Sequence, residues 1–387
     1  MADSANELRF DFDAILISNG FQAEYEIGFT NGLSRCGVKP LLVCSENMLV
    51  GRLDPGVKTL NLRGSQRSDR SAVQKAMNII RYWVQLCRLL SSHRSLPVHV
   101  IGLFTLRSTW SALFEASVLR HVSKHFVLTV HNVLPHNAHS FLNRQLYRLI
   151  YKLPHKLVVH TGRMAEALQT QFGVPLSKLV VMEHGIDRLA PAPLVRSQWL
   201  AHHLDLPVGC KAVLFFGNVS HYKGLDILVA ALVDAPNALD AVLVVAGACI
   251  DREFRAKISP GLNYLVEQGR ARWVDGFVPE ERVLEYFHGS DVLVMPYRAI
   301  DQSGVVFMAL ATGLPVVATD VGSLAEYVPL TGGKVVEPGN TDALLAGLQD
   351  VLASSRPEKR PVRVNEASRF LWSHTVIPLL AAYGRQP

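Results

Sequence analysis

The stretch Asp291–Glu326, D-V-L-V-M-P-Y-R-A-I-D-Q-S-G-V-V-F-M-A-L-A-T-G-L-P-V-V-A-T-D-V-G-S-L-A-E, constrains the chain more than any other. Two apolar runs of strand length, Val292–Met295 and Val316–Thr319, flank a stretch of helical composition, Val305–Ala311. Ser303 and Gly304 stand where a helix N-cap belongs. A short helix that opens through Ser-Gly at the end of a parallel strand aims free backbone N–H groups at the loop, a natural seat for phosphate. The segment reads as a phosphate-binding strand–helix–strand unit of an open parallel sheet.

The same alternation runs through the rest of the chain. Strand-length apolar runs at Ala14–Ser18, Pro40–Cys44, Val98–Leu103, Phe126–Val130, Leu157–His160 and Leu179–Glu183 alternate with helical stretches near Ala23–Arg35, 72–91 and Ser108–Val122. Proline-rich Leu189–Arg196 breaks the periodicity and reads as a linker. A second series follows, with strands at Ala212–Phe216, Ala241–Ala246 and Arg272–Val274 and helices near Leu225–Leu232, Pro279–His288 and Thr341–Ser354. The reading divides the 387 residues into a domain over 1–190, a linker over 191–200, a second domain over 201–364 and a final helix over 365–387.

Composition narrows the setting. No apolar run is long enough for a transmembrane helix, and the polar, acidic N-terminus does not read as a signal peptide. The five cysteines are scattered with no C-x-x-C pair, which predicts reduced thiols in a cytosolic protein and no structural metal. Net charge is +6, unevenly spread: +9 over 1–195 and −3 over 196–387. Within 52–94, nine basic residues face only Asp54 and Asp69, and Arg81, Arg88 and Arg94 interleave with Ile79, Tyr82 and Trp83. Such a region is a candidate for contact with an anionic surface, either a polyanion or lipid headgroups such as those at the inner face of the plasma membrane. Its plainer alternative is a sheet-packed helix with a solvated basic edge. No recognised motif accompanies the charge to suggest nucleic acid.

The ordered run P-Y-R, Ser-Gly, then G-L-P-V-V-A-T-D-V-G-S-L-A-E resembles the donor-binding segment of glycosyltransferase family 4. That resemblance implies the GT-B fold: two Rossmann-like, doubly wound domains facing a central cleft, with the last helix crossing back to the first domain. It implies a nucleotide-sugar donor held by Gly20, Asn218, Lys223, Arg298, Asp301, Gln302, Ser303, Gly304 and Glu326. The loop F-F-G-N-V-S-H-Y-K-G fits, because expelling a nucleoside diphosphate needs fixed positive charge, and Lys223 stands at the family's lysine. The family's arginine is replaced by Asn218, a gap that Arg298 is expected to fill. The family's paired glutamates are replaced by Ile300 and Met308. That loss predicts altered nucleoside contacts and weakens any inference of retention at the anomeric carbon.

In the N-terminal half, T-V-H-N-V-L-P-H places His131 where the family puts a sugar-contacting histidine, with His136 a weaker candidate. Asn19-Gly20 occupies the family's phosphate loop with one glycine missing. An inverting enzyme needs a base for the acceptor hydroxyl, and Glu24, Glu26 and His131 are the candidates. His184 and Gly185 in V-M-E-H-G-I-D read as structural or cleft-facing, undecided between the two. The expectation is a metal-independent hexosyltransferase without cofactor. It would act on a UDP- or GDP-hexose and a saccharide acceptor, expected to be a lipid-linked one of polysaccharide or exopolysaccharide assembly. The rivals are a non-catalytic nucleotide-sugar-binding relative and a nucleotide-sugar epimerase of the same architecture.

Overall fold

Strands buried on both faces read as unbroken apolar runs, and here they assemble into two parallel sheets. The computed structural model describes residues 11–385, except 19, 21–22, 47, 65–69, 104–108, 135–139, 192–197, 208 and 355–356. The chain divides into one unit of Met1–Asp187 with Phe370–Pro387, and a second of Arg188–Arg369.

The first unit runs β1 (Ala14–Ile17), α1 (Ala23–Arg35), β2 (Pro40–Cys44), β3 (Lys58–Asn61), α2 (Ala72–Ser92), β4 (Pro97–Val100), α3 (Thr109–Val122), β5 (His125–Thr129), α4 (Phe141–Lys152), β6 (Lys156–Val159), α5 (Gly162–Phe172) and β7 (Leu179–Val181). Its sheet order is β3-β2-β1-β4-β5-β6-β7, parallel throughout. The second unit runs α6 (Trp199–His203), β8 (Lys211–Phe216), α7 (Leu225–Asp234), β9 (Ala241–Ala246), α8 (Arg252–Glu267), β10 (Ala271–Val274), α9 (Glu280–Gly289), β11 (Val292–Met295), α10 (Gly304–Thr312), β12 (Val316–Thr319), α11 (Leu324–Tyr327), β13 (Lys334–Val336), α12 (Thr341–Ser354) and α13 (Arg360–Glu366). Its sheet order is β10-β9-β8-β11-β12-β13. Both sheets are doubly wound, and each reverses strand order once, between β1 and β4 and between β8 and β11. Ligands of open parallel sheets gather at the carboxyl ends of strands beside such a reversal.

In the first unit one core holds α2, α3, α4 and α5 against one face of the sheet. The opposite face carries α1 and the chain's end, α14 (Trp372–Thr375) and α15 (Ile377–Ala382). Trp372 explains that return. A Cβ added to Gly28, Gly32 or Gly185 would lie 2.1, 2.7 or 2.0 Å from its atoms, so the indole fits a slot that three glycines leave open. Around it, Tyr25 meets Trp372 edge-on with ring centroids 4.9 Å apart.

Several elements differ from the sequence expectation. The final segment is not one helix over 365–387. Ile186 N donates to Phe370 O at 2.6 Å and Trp372 N to Ile186 O at 3.1 Å, which holds Leu371 extended and interrupts the helix. Helix α8 carries Pro260 and Gly261 in its interior, residues that argue against helix locally. There Gly261 packs so close to α7 that a Cβ would lie 2.8 Å from Val229. The basic region also divides. Tyr82 turns into the core and Trp83 packs against it, whereas Met77, Ile80 and Val84 face solvent. Arg52 pairs with Glu24, Arg63 is buried, Arg94 donates to His121 O at 2.8 Å, and Arg67 lies outside the described residues. No described helix is long and apolar enough to cross a membrane.

Candidate active site

The carboxyl edge of the second sheet is built by glycines that let loops touch. After β8 the chain turns at Gly217, with φ +90°, and a Cβ there would stand 2.9 Å from Lys223 Nζ. His221–Lys223 make a single tight turn that Gly224 ends with φ +69°. A Cβ on Gly224 would lie 1.9 Å from Pro296 O, so only glycine admits this approach between the loops after β8 and β11. The result is that Lys223 lies at the strand reversal.

Lys223 is 7% exposed, with its Nζ 5.7 Å from the ring centroid of Tyr297. Among the described residues no carboxylate or carbonyl accepts from its ammonium. Burial pulls its pKa down to about 8. A desolvated cation without a counter-charge is a position that an incoming anion stabilises. Tyr297 is itself buried, its hydroxyl hydrogen-bonds Ser303, and desolvation raises its pKa. Ser303 caps α10 by accepting from Val305 N, and Gly304 at the first turn is exposed. Thus Lys223, Tyr297 and the start of α10 form one connected set.

Arg298 departs from its expected role. It donates to Asp226 Oδ1 and Oδ2 at 2.7 and 2.8 Å and to His221 O at 2.7 Å. Burial would raise the Asp226 pKa, but hydrogen bonds and charge from Arg298 and Lys257 outweigh it and hold the carboxyl at about 2. Arg298 therefore anchors the loop that carries Lys223, its guanidinium already paired with Asp226. Asp301 and Gln302 are half-buried, while Asn218 and Glu326 are exposed. Asp301 O accepts from Ser323 N at 3.1 Å, and Gly322 approaches Ile300 O so closely that a Cβ would lie 1.8 Å away. Ser323, which sequence reasoning missed, is fully buried with an unpartnered hydroxyl.

The carboxyl edge of the first sheet carries Gly20, Glu26 and His131. Gly20, with φ +77°, donates its N–H to Ser18 Oγ at 3.0 Å and to Glu26 Oε1 at 3.1 Å, and Ser18 donates to Glu26 Oε2 at 2.5 Å. Glu26 is 1% exposed, so it fixes the loop and is not placed to take an acceptor proton. Glu24 points to solvent, paired with Arg52 through two bonds of 2.7 Å. Arg63, a residue with no motif to mark it, lies beside Gly20: a Cβ there would be 2.5 Å from its Nη1.

His131 Nε2 donates to Ile101 O at 2.6 Å, a partner that can only accept. This assignment leaves Nδ1 as a lone-pair acceptor on a neutral ring, and burial lowers the pKa to about 4. A weakly basic imidazole of this kind suits accepting a sugar hydroxyl better than deprotonating one. His131 and the missed His160 both pack edge-on to Tyr25, with centroids 4.8 and 5.3 Å away. His184, 5.4 Å from Tyr25, and Gly185 belong to the Trp372 slot and are structural here. Asn19 and His136 lie outside the described residues.

Comparison with known proteins follows the same division. Residues 210–354 match the family model described as glycosyl transferases group 1, and residues 29–188 match that of glycosyltransferase family 4. The chain is 27% identical over 246 residues to D-inositol 3-phosphate glycosyltransferase of Jonesia denitrificans, covering 59% of this chain and 56% of that protein. It is 24% identical over 325 residues to 2-deoxystreptamine N-acetyl-D-glucosaminyltransferase of Niallia circulans, covering 76% and 77%. The chain thus spans little more than half the length of the first of these relatives. Among solved structures, HepE of Anabaena in complex with UDP superposes with a TM-score of 0.72 at 14% identity, covering 95% of this chain and 100% of that one. A glycosyltransferase from Rickettsia africae gives 0.71 at 18%, covering 97% and 98%.

Proposed function

We propose that this chain, which belongs to the family 4 glycosyltransferases of GT-B fold, transfers a hexose from a nucleoside-diphosphate sugar to a lipid-linked saccharide. The observation that carries the donor half is the buried ammonium of Lys223, uncompensated among the described residues, beside the first turn of α10. In transfer, the bond from the anomeric carbon to the diphosphate oxygen breaks, and negative charge grows on the leaving group. Lys223 and the N–H at Gly304, on the first turn of α10, meet that charge, held in place before the reaction begins. The UDP and UDP-glucose complexes of HepE support a uridine donor.

His131 Nδ1 accepts a hydroxyl of the transferred sugar, on the N-terminal unit. The acceptor hydroxyl oxygen attacks the anomeric carbon as the bond to the diphosphate oxygen breaks, and the hydroxyl proton passes to solvent water. Apolar residues at 300 and 308, where the family carries carboxylates, favour inversion, which proton NMR of the product anomer reads directly. Because Lys223 supplies the leaving-group charge in this reading, a chelator leaves turnover unchanged.

Thermal-shift titration with UDP, GDP and their hexoses tests the donor. A ligand at a hundred times its Kd adds about 2.7 kcal/mol to the folded state. Stabilisation by UDP and UDP-hexose is expected, and no stabilisation by any nucleotide would refute the donor reading. Stabilisation with no hexose transfer to lipid-linked acceptors would reduce the chain to a non-catalytic binder.

A further inference from the structure

Helices α2, α3 and α4 form one layer over the first sheet, and their outward side is apolar where solvent contact calls for polar residues. Met77, Ile80, Trp110, Phe114 and Phe141 are 65, 64, 61, 63 and 78% exposed. Side-chain contacts link the three helices. Trp83 on α2 and Phe114 on α3 have ring centroids 6.2 Å apart, and Thr109 at the start of α3 donates to Asn143 of α4 at 2.9 Å. Each of these helices begins at the carboxyl end of the sheet, and the exposed Trp110, Phe114 and Phe141 lie in the opening turns of α3 and α4. The apolar surface therefore borders the edge that carries Gly20 and His131.

Charge on the same layer has one sign. Lysines and arginines number three on α2, one on α3 and three on α4, all exposed. The only carboxylate on the three helices is Glu115, 2% exposed and turned inward. Exposed aromatic and aliphatic side chains ringed by cations, with no exposed carboxylate among them, match an anionic lipid surface. A second copy of this chain seated on the same layer would set like charges against each other.

We propose that the α2–α3–α4 layer is a membrane-docking face. It inserts Met77, Ile80, Trp110, Phe114 and Phe141 at the acyl boundary and sets Arg81, Arg88, Arg144 and Arg148 against anionic headgroups. The proposal deepens the lipid-linked acceptor reading, since docking brings the first sheet's carboxyl edge to where such an acceptor resides, but the docking itself needs no substrate.

Sedimentation of the full chain with vesicles of phosphatidylcholine, alone or mixed with phosphatidylglycerol, tests it. Binding is expected only with the mixed vesicles, falling as salt is added. Arg81→Gln/Arg88→Gln/Arg144→Gln should weaken the partition on the order of a hundredfold, about fivefold for each lost charge. Met77→Ser/Phe114→Ser should weaken it at least about tenfold at unchanged lipid charge. Melting temperature and UDP affinity, read on both variants, should match the parent, because these side chains are exposed and the donor site is in the other unit. Equal binding to neutral vesicles, or variants that partition like the parent, would overturn the proposal. So would a dimer in ultracentrifugation that Phe114→Ser dissolves, since a second copy would then cover the face. Vesicle binding as expected without any UDP binding would leave the surface standing and remove the donor reading.

Discussion

At the carboxyl edge of the C-terminal sheet Lys223 holds a buried ammonium with no counter-charge among the described residues, whereas at the same edge of the N-terminal sheet the candidate bases already have partners. Glu24 is committed to Arg52, Glu26 to Ser18 and Gly20, and His131 donates to Ile101. A charge satisfied inside the fold contributes order. One left unsatisfied contributes binding energy to whatever completes it. The contrast assigns electrostatic work to the second unit, and shape with neutral hydrogen bonding to the first.

The largest expected effect lies in the self-satisfied region. Trp372→Ala empties the slot lined by Gly28, Gly32 and Gly185 and should cost about 3–5 kcal/mol in denaturant unfolding. UDP affinity should hold at temperatures where the variant stays folded. A loss below about 1 kcal/mol would mean that the tryptophan is not the clamp that returns the chain's end to this unit.

Next comes the unsatisfied cation. Lys223→Ala should lower turnover about a hundredfold to a thousandfold, the loss of one charge-stabilising contact to a leaving group, without destabilising the ligand-free protein. Unchanged kcat in a folded variant would erase the contrast between the two edges. Between these extremes lies Glu26→Gln, which weakens the bonds holding Gly20 and should cost roughly 1–3 kcal/mol of stability. Glu24→Gln should alter turnover less than about twofold, since an exposed ion pair is worth little. A large activity loss there would restore Glu24 as the base. Smallest of all, Met308→Glu should bring no gain in activity, because a carboxylate on the half-buried side of α10 has no partner waiting. Higher activity would show that the nucleoside keeps the family's pose.

The sequence reveals the second unit better than the first for a physical reason. Lys223, Ser303 and Gly304 sit in short loops whose glycines and strand ends follow one another locally, so order along the chain carries the geometry. Arg298 shows the limit. Its nearness to the strand end was legible, but its capture by Asp226, 72 positions away, was not. Trp372 and its three glycines are likewise a long-range fit with no local mark, and so is Arg63 beside Gly20. On α2 the basic charge was evident, but helix phase decides that Met77 and Ile80, and not Tyr82, face outward.

Proton exchange on nucleotide binding tests the central claim most directly. The folded pKa of Lys223 is about 8, against an ordinary 10.5. The unfolded chain therefore binds more protons between those values, and the ligand-free protein gains stability from this group as pH rises through that window. A bound diphosphate needs the charged form, so UDP affinity should instead fall over the same window. Calorimetry of UDP binding near pH 9 in two buffers of different ionisation enthalpy should show uptake of close to one proton by the parent. Lys223→Arg, always charged, should show none. Binding without proton uptake in the parent, or equal uptake in the arginine variant, would contradict the assignment of the diphosphate to Lys223.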